Sequence, residues 1–223
     1  VLLSAFNGIE QMVVQMYSKF DPSLSIRFKT SKSFPEQIIP IDRLAQIQGV
    51  NQITRAVEEV VILQRGKDKT AHGILLGVDD NFIDVIDLKE HLIDGTPSLY
   101  STEEKPQAIF GIQLLNRLDA YISNNPVNKD FVTFHVPLRE GKLRPGKSPF
   151  SSSRVLVGGA MNYNREVNTS YMLLPLKKAQ EMLQYQEELT VLFIDVSPQY
   201  NLKAVQKEVE GVLGEQFEVK TNL

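Results

Sequence analysis

The stretch ITRAVEEVVILQ, residues 53–64, constrains this chain more than any other part of its sequence. Val and Ile lose side-chain freedom in a helix and pack well on a pleated surface, so the run is predicted to be a long strand. A turn at Arg65-Gly66-Lys67-Asp68-Lys69 leads into a second apolar run over 72–78, which makes the pair a hairpin. Upstream, residues 24–29 alternate apolar and polar with the period of a half-buried strand. Between strand and hairpin, Asp42 can cap a short helix carrying Ile41, Leu44 and Ile47, stopped near Gly49. A helix between strands, then a hairpin, is an α+β arrangement rather than a regular βαβ series.

The remainder alternates in the same way. Residues 79–107 are polar and rich in turns, and 109–122 are predicted to form a helix with Ile112, Leu115, Leu118 and Ile122 on one face. Strands are expected at 131–136, 154–157 and 171–174, then a helix at 175–185 with Leu176, Ala179, Met182 and Leu183 inward. The end of the chain is the clearest. A nearly all-apolar strand at 189–196 precedes a helix at 201–213, stopped at Gly214, and a last strand at 217–220. Two strand-helix-strand units flanking a β-rich middle imply a discontinuous domain with an insertion over about 84–175. The first twenty residues place Leu2, Phe6, Ile9, Val13, Met16, Tyr17 and Phe20 at helical spacing, with no capping box in front, and Asp21-Pro22-Ser23 ends that helix.

Gly141 to Ser148 spell G-x-x-x-x-G-K-S, the pattern of a phosphate-cradling loop, and Val191 to Asp195 supply an apolar run ending in the Asp that could hold Mg²⁺. A nucleotide-binding enzyme would use Lys147, Ser148 and Asp195. Such a loop must open a helix, whose N-terminal amides and dipole hold the phosphates. Ser148 is followed instead by Pro149-Phe150 and a serine run, then the β-like Val155-Leu156-Val157, with no helical apolar stripe. The motif therefore fails in its context. Strands on either side make the segment the tip of a long hairpin, in which Pro145, Gly146 and Pro149 stiffen and turn the chain. Leu143, Arg144, Lys147 and Phe150 offer apolar and charged anchors there, the make-up of a rigid protein-recognition loop as much as of a solvated one.

Other chemistry finds little support. A net charge of −3 gives no nucleic-acid footprint. Without cysteine there is no disulfide, thiolate nucleophile or thiolate metal site, and His72, His91 and His135 lie far apart. The carboxylate pairs Glu58-Glu59, Asp79-Asp80, Glu103-Glu104 and Glu187-Glu188 are adjacent, so in strands they point to opposite faces. No nucleophile elbow or dinucleotide fingerprint occurs, and no apolar run is long enough to cross a bilayer. No enzyme, cofactor or metal site is expected.

Four segments carry a resemblance. Leu3-Ser4-Ala5-Phe6-Asn7-Gly8-Ile9-Glu10, Ile109 to Leu118 (IFGIQLLNRL), Arg154 to Gly159 (RVLVGG) and Met172 to Leu183 (MLLPLKKAQEML) occur in the order found in permeases of lipoprotein-releasing ABC transporters, the LolC/LolE family, which shares its periplasmic fold with MacB-like permeases. The resemblance implies a porter-like α/β-sandwich subdomain built from residues 1–83 and 176–223, with a β-rich, sabre-like subdomain inserted at 84–175. It implies a periplasmic position on an inner-membrane protein, with the N-terminal helix continuing a membrane helix and the chain returning to the membrane after Leu223. The function implied is non-catalytic: extraction of lipoproteins, with a projecting hairpin that recruits a periplasmic lipoprotein carrier. Implied partners are that carrier, the lipoprotein substrate, a second permease subunit and cytoplasmic ATPase subunits, with no nucleic acid. By position the hairpin tip is Leu143, Arg144, Pro145, Gly146, Lys147, Pro149 and Phe150. It is slightly shorter than the family's loop, so it fits either the carrier-binding paralogue or the one that contacts the lipoprotein. A MacB-type efflux permease domain binding an adaptor protein is the neighbouring reading.

Overall fold

The computed structural model describes residues 20–123, 125, 128–137 and 150–222. The helix expected over the first twenty residues lies outside these, apart from Phe20. In chain order the elements are β1 (Leu24–Phe28), β2 (Phe34–Pro35), a 3-10 turn (Glu36–Ile38), α1 (Ile41–Ala45), β3 (Val50–Arg65), β4 (Lys69–Val78), α2 (Phe82–Val85), α3 (Leu88–His91) and β5 (Leu92–Gly95). There follow β6 (Gln107–Gly111), α4 (Ile112–Arg117), β7 (Phe131–Pro137), β8 (Phe150–Met161), α5 (Arg165–Ser170), β9 (Tyr171–Pro175) and α6 (Leu176–Leu183). The chain closes with β10 (Glu188–Leu189), β11 (Val191–Val196), α7 (Leu202–Leu213) and β12 (Phe217–Thr221).

Both ends of the described chain build one sheet. Its strands run β12-β1-β11-β3, every neighbour antiparallel. The units β1-α1-β3 and β11-α7-β12 therefore interleave, each placing a strand between the two strands of the other, the split βαβ arrangement of ferredoxin-like folds. Alternation decides the faces. Leu24 and Ile26 of β1 and Leu192 and Ile194 of β11 point to one side, where Leu44 of α1 and Val205, Val209 and Leu213 of α7 complete a buried layer. Asn201 starts α7 by accepting the Ala204 N–H on its side-chain oxygen at 3.1 Å, and Gly214, at φ 78°, ends it.

β3 is too long for that sheet. Its first half pairs with β11 through Ala56, and its second half pairs with β4 on one edge and, at Ile62 to Gln64, with β7 on the other. From β4 the ladder continues through β9, β6, β8 and β7 and so returns to β3. Six strands close into a barrel, which removes their open edges. Val61, Leu63, Leu75, Phe110, Met172, Phe134 and Val136 are among the side chains that fill it. Helix α6 packs on five of the six barrel strands, and it comes so close to β4 that a Cβ on Gly77 would lie 2.2 Å from the Ala179 methyl. A second apolar layer lies outside the barrel, where Phe82, Ile86 and Leu88 cover Leu76, Ile109, Leu173 and Phe193. The result is a mixed α/β protein with a sheet-rich core.

One sequence-based expectation needs correction. The helix predicted over 109–122 is in fact strand β6 followed by the shorter α4. β6 lies between β8 and β9 with all five residues buried. A strand covered on both faces is apolar throughout, so its residues also satisfy a helical spacing and periodicity cannot separate the two. The polar stretch 79–107 contains α2, α3 and β5, all of them four residues long.

Candidate partner-binding hairpin and the chain-end junction

β7 and β8 form the hairpin expected around the glycine- and proline-rich segment. Phe131↔Leu156 through Pro137↔Phe150 pair without interruption. On β7, Val132, Phe134 and Val136 face into the barrel, which fixes the register, since a one-residue slip would turn all three outward. The outer side of the stem is tied as well. His135 places Nε2 3.0 Å from the accepting Oε1 of Gln64 on β3 and Nδ1 2.7 Å from Ser152 Oγ on β8. Arg154 lies over the Phe131 ring at 4.4 Å. The strand that follows the glycine-lysine-serine motif, β8, stands where a phosphate loop needs a helix.

Of the tip residues, Phe150 is described: it is the first residue of β8 and is exposed. Leu143, Arg144, Pro145, Gly146, Lys147 and Pro149 lie outside the described residues. Asp195, the possible Mg²⁺ ligand, accepts a hydrogen bond from Asn51 Nδ2 at 2.8 Å and sits opposite Gln52 on β3. The rung joining β3 to the hairpin, Ile62/His135, is further along β3 by about 33 Å at the usual rise per strand residue. The histidines serve as ordinary structural residues: His72 on β4, His91 stacked on Tyr163 at 4.1 Å, and His135 in the stem. Among the described residues no group of three His, Asp or Glu side chains could hold a metal.

A second feature escapes sequence reasoning. The two ends of the described chain meet at one corner of the sheet, where Leu24 pairs with Thr221. Asn222 clamps them: its Nδ2 donates to the Pro22 carbonyl at 2.7 Å, its N–H donates to the Ser23 carbonyl at 3.2 Å, and its Oδ1 accepts from Ser25 Oγ at 3.2 Å. Ser23 Oγ in turn accepts the Val196 N–H at 3.0 Å. One step earlier, Phe20 is buried in a cage of Phe82, Tyr163 and Tyr171, with ring centroids 5.2–6.0 Å away. The entering segment thus touches both the sheet, through Asn222, and the barrel's outer layer, through the cage. Beside it Arg27 pairs with Glu58 at 2.6 Å. The Tyr171 phenol, 3.4 Å from Glu58, is pushed well above its ordinary pKa by burial first and by the Glu58 charge second. No sequence signal announces this junction, because a lone Asn and a lone Phe carry no pattern.

This fold is that of extracytoplasmic domains of ABC-type transporter permeases. The chain is similar to the extracellular domain of the ABC-type transporter YknZ from Gram-positive bacteria, with a TM-score of 0.60 and 16% identity over 89% of this chain and all of that one. It is also similar to the periplasmic region of MacB from Actinobacillus actinomycetemcomitans, with a TM-score of 0.58 and 13% identity over 90% and 88% of the two chains. A domain of a permease-type protein from Porphyromonas gingivalis follows, at a TM-score of 0.50 and 12% identity over 91% of each chain. No protein-family model matches the sequence, and no curated protein matches it. No helix among the described residues is long and apolar enough to cross a membrane.

Proposed function

We propose that this chain is the periplasmic, non-catalytic domain of a lipoprotein-releasing permease of the LolC/LolE type, and that its β7–β8 hairpin recruits a periplasmic lipoprotein carrier. The observation that carries this reading is the hairpin. Its stem is locked into a closed barrel by ladder pairs on both edges and three inward side chains, and its tip begins at an exposed Phe150. A stem already fixed in the barrel loses little freedom when a partner binds the loop it carries. The ordered motif resemblance supplies the lipoprotein-releasing family. Within that reading, residues 1–83 and 176–223 form the porter-like part and 84–175 the sabre-like insertion. The clamped chain ends suit a domain inserted between two membrane helices. Cytoplasmic ATPase subunits, a second permease subunit and the lipoprotein itself are the remaining partners, and movement is passed on as rigid-body displacement.

Titration of the domain with the periplasmic carrier of the same organism tests the reading. Tight binding is expected, weakened at least about tenfold by Arg144→Glu with Lys147→Glu while the melting temperature stays unchanged. Unchanged affinity in the folded double variant would remove the hairpin from the account. The likeness to MacB favours one second reading, an efflux permease domain that meets an adaptor protein. Binding of a periplasmic adaptor in place of the carrier would select it. Mg-ATP serves as the control ligand, and binding abolished by Lys147→Ala would restore the phosphate loop.

A further inference from the structure

The ladder between β3 and β7 stops early. Ile62, Leu63 and Gln64 face His135, Phe134 and Thr133, and the backbone groups that point to this edge of β3 are those of even-numbered residues: the Ala56 carbonyl accepts the Thr190 N–H here, whereas the N–H and carbonyl of Arg55 are bonded to Asp79 on the other edge. The next rung in register joins Val60 to Pro137. An antiparallel rung of this kind needs an N–H from each residue, and proline has none. The Val60 N–H has meanwhile been diverted, donating to the Glu59 carboxylate at 3.1 Å. That carboxylate is buried and bound by Lys32 Nζ. Pairing accordingly ends at Ile62/His135, while β7 goes on pairing with β8 as far as Pro137↔Phe150. Val60, left beside the unmade rung, is 60% exposed, the most exposed of the large apolar residues among those described.

We infer that Pro137 is the positioning residue of the hairpin: by withholding one backbone donor it ends the β3–β7 ladder a rung short, so that β7 stops pairing with β3 at His135 instead of zipping on toward Glu58. The consequence for partner binding rests on the reading of the hairpin as a recruiting element; the consequence for the ladder does not. Proline at this point acts as it does at other sheet edges, ending a pairing that the flanking sequence would otherwise extend.

The test restores the donor. In Pro137→Val the new amide is expected to bond the Val60 carbonyl and to exchange with solvent at least about 100-fold more slowly than an exposed amide. Affinity for the carrier should fall at least about tenfold once β7 is paired to β3 through residue 137. Pro137→Val with Glu59→Ala also frees the Val60 N–H and should deepen both effects. An unprotected amide at 137 in both variants overturns the inference. Protection combined with unchanged carrier affinity shows that pairing here does not govern the tip, and overturns it equally. If the unaltered chain binds no carrier, the recruiting function fails, and amide protection alone decides the role of Pro137.

Discussion

Gly111 shows how much a single position can demand. Its backbone angles, φ −56° and ψ 134°, suit any residue, so conformational freedom is not the reason for glycine. Space is. A Cβ there would stand 2.3 Å from the Val167 carbonyl oxygen and 2.7 Å from that of Asn168, where α5 crosses the end of β6. Those oxygens belong to the backbone and cannot turn aside as a flexible side chain would. Gly111→Ala should therefore lower stability by about 2–3 kcal/mol, the upper part of the overpacking range, as read from the denaturation midpoint. A loss below about 0.5 kcal/mol would mean that α5 shifts freely. Gly111 also falls in one of the four segments on which the family expectation from sequence rests, so part of that signal reports a packing need. Gly158, in another, lies against buried Gln107, whose amide donates to Thr96 Oγ1 at 2.8 Å and to the Ser98 carbonyl at 2.9 Å.

At the scale of elements, what could be read from sequence depends on whether the signal is local. α7 carries its own punctuation in Asn201 and Gly214, and its stripe of Leu202, Val205, Val209 and Val212 repeats at helical spacing, with Leu213 buried beside it. Replacing Asn201 by Ala should cost about 1 kcal/mol, and Asn201→Asp should recover most of it. A cost near zero would show that solvent satisfies the Ala204 N–H equally well. β1, β7 and the β3–β4 hairpin were legible for the same reason, since alternation and turn chemistry lie within a few residues. β6 was not, because burial on both faces erases the period. Helices α2 and α3 are too short to show one. The hairpin's position was legible in outline, but its root was not: Ile62 and His135 are far apart in sequence, and nothing local says that they pair.

For the molecule as a whole, topology was the least legible property. The flanking units were visible as strand-helix-strand patterns, yet their interleaving and the closure of six strands into a barrel depend on long-range pairing. That interleaving is also what lets the ends of the described chain sit together at Asn222. A circular permutant that joins Leu223 to Val1, with residues 1–19 in the join, and opens the exposed turn between Lys67 and Asp68 should unfold in one cooperative step, melting only a few degrees lower. Loss of cooperativity would show that the turn is needed to build the barrel. The long strand β3 has one more consequence. It starts at the same end of the sheet as the clamp, beside Val196, and finishes at the far turn, about 50 Å away if fully extended, and both halves of the fold are hydrogen-bonded to it. It acts as a stiff pointer: a tilt of about 10° at its foot would carry its far end through an arc of about 9 Å at that length. The hairpin root, lying in the outer part of the same strand, would travel most of that arc without any bond inside the domain having to break.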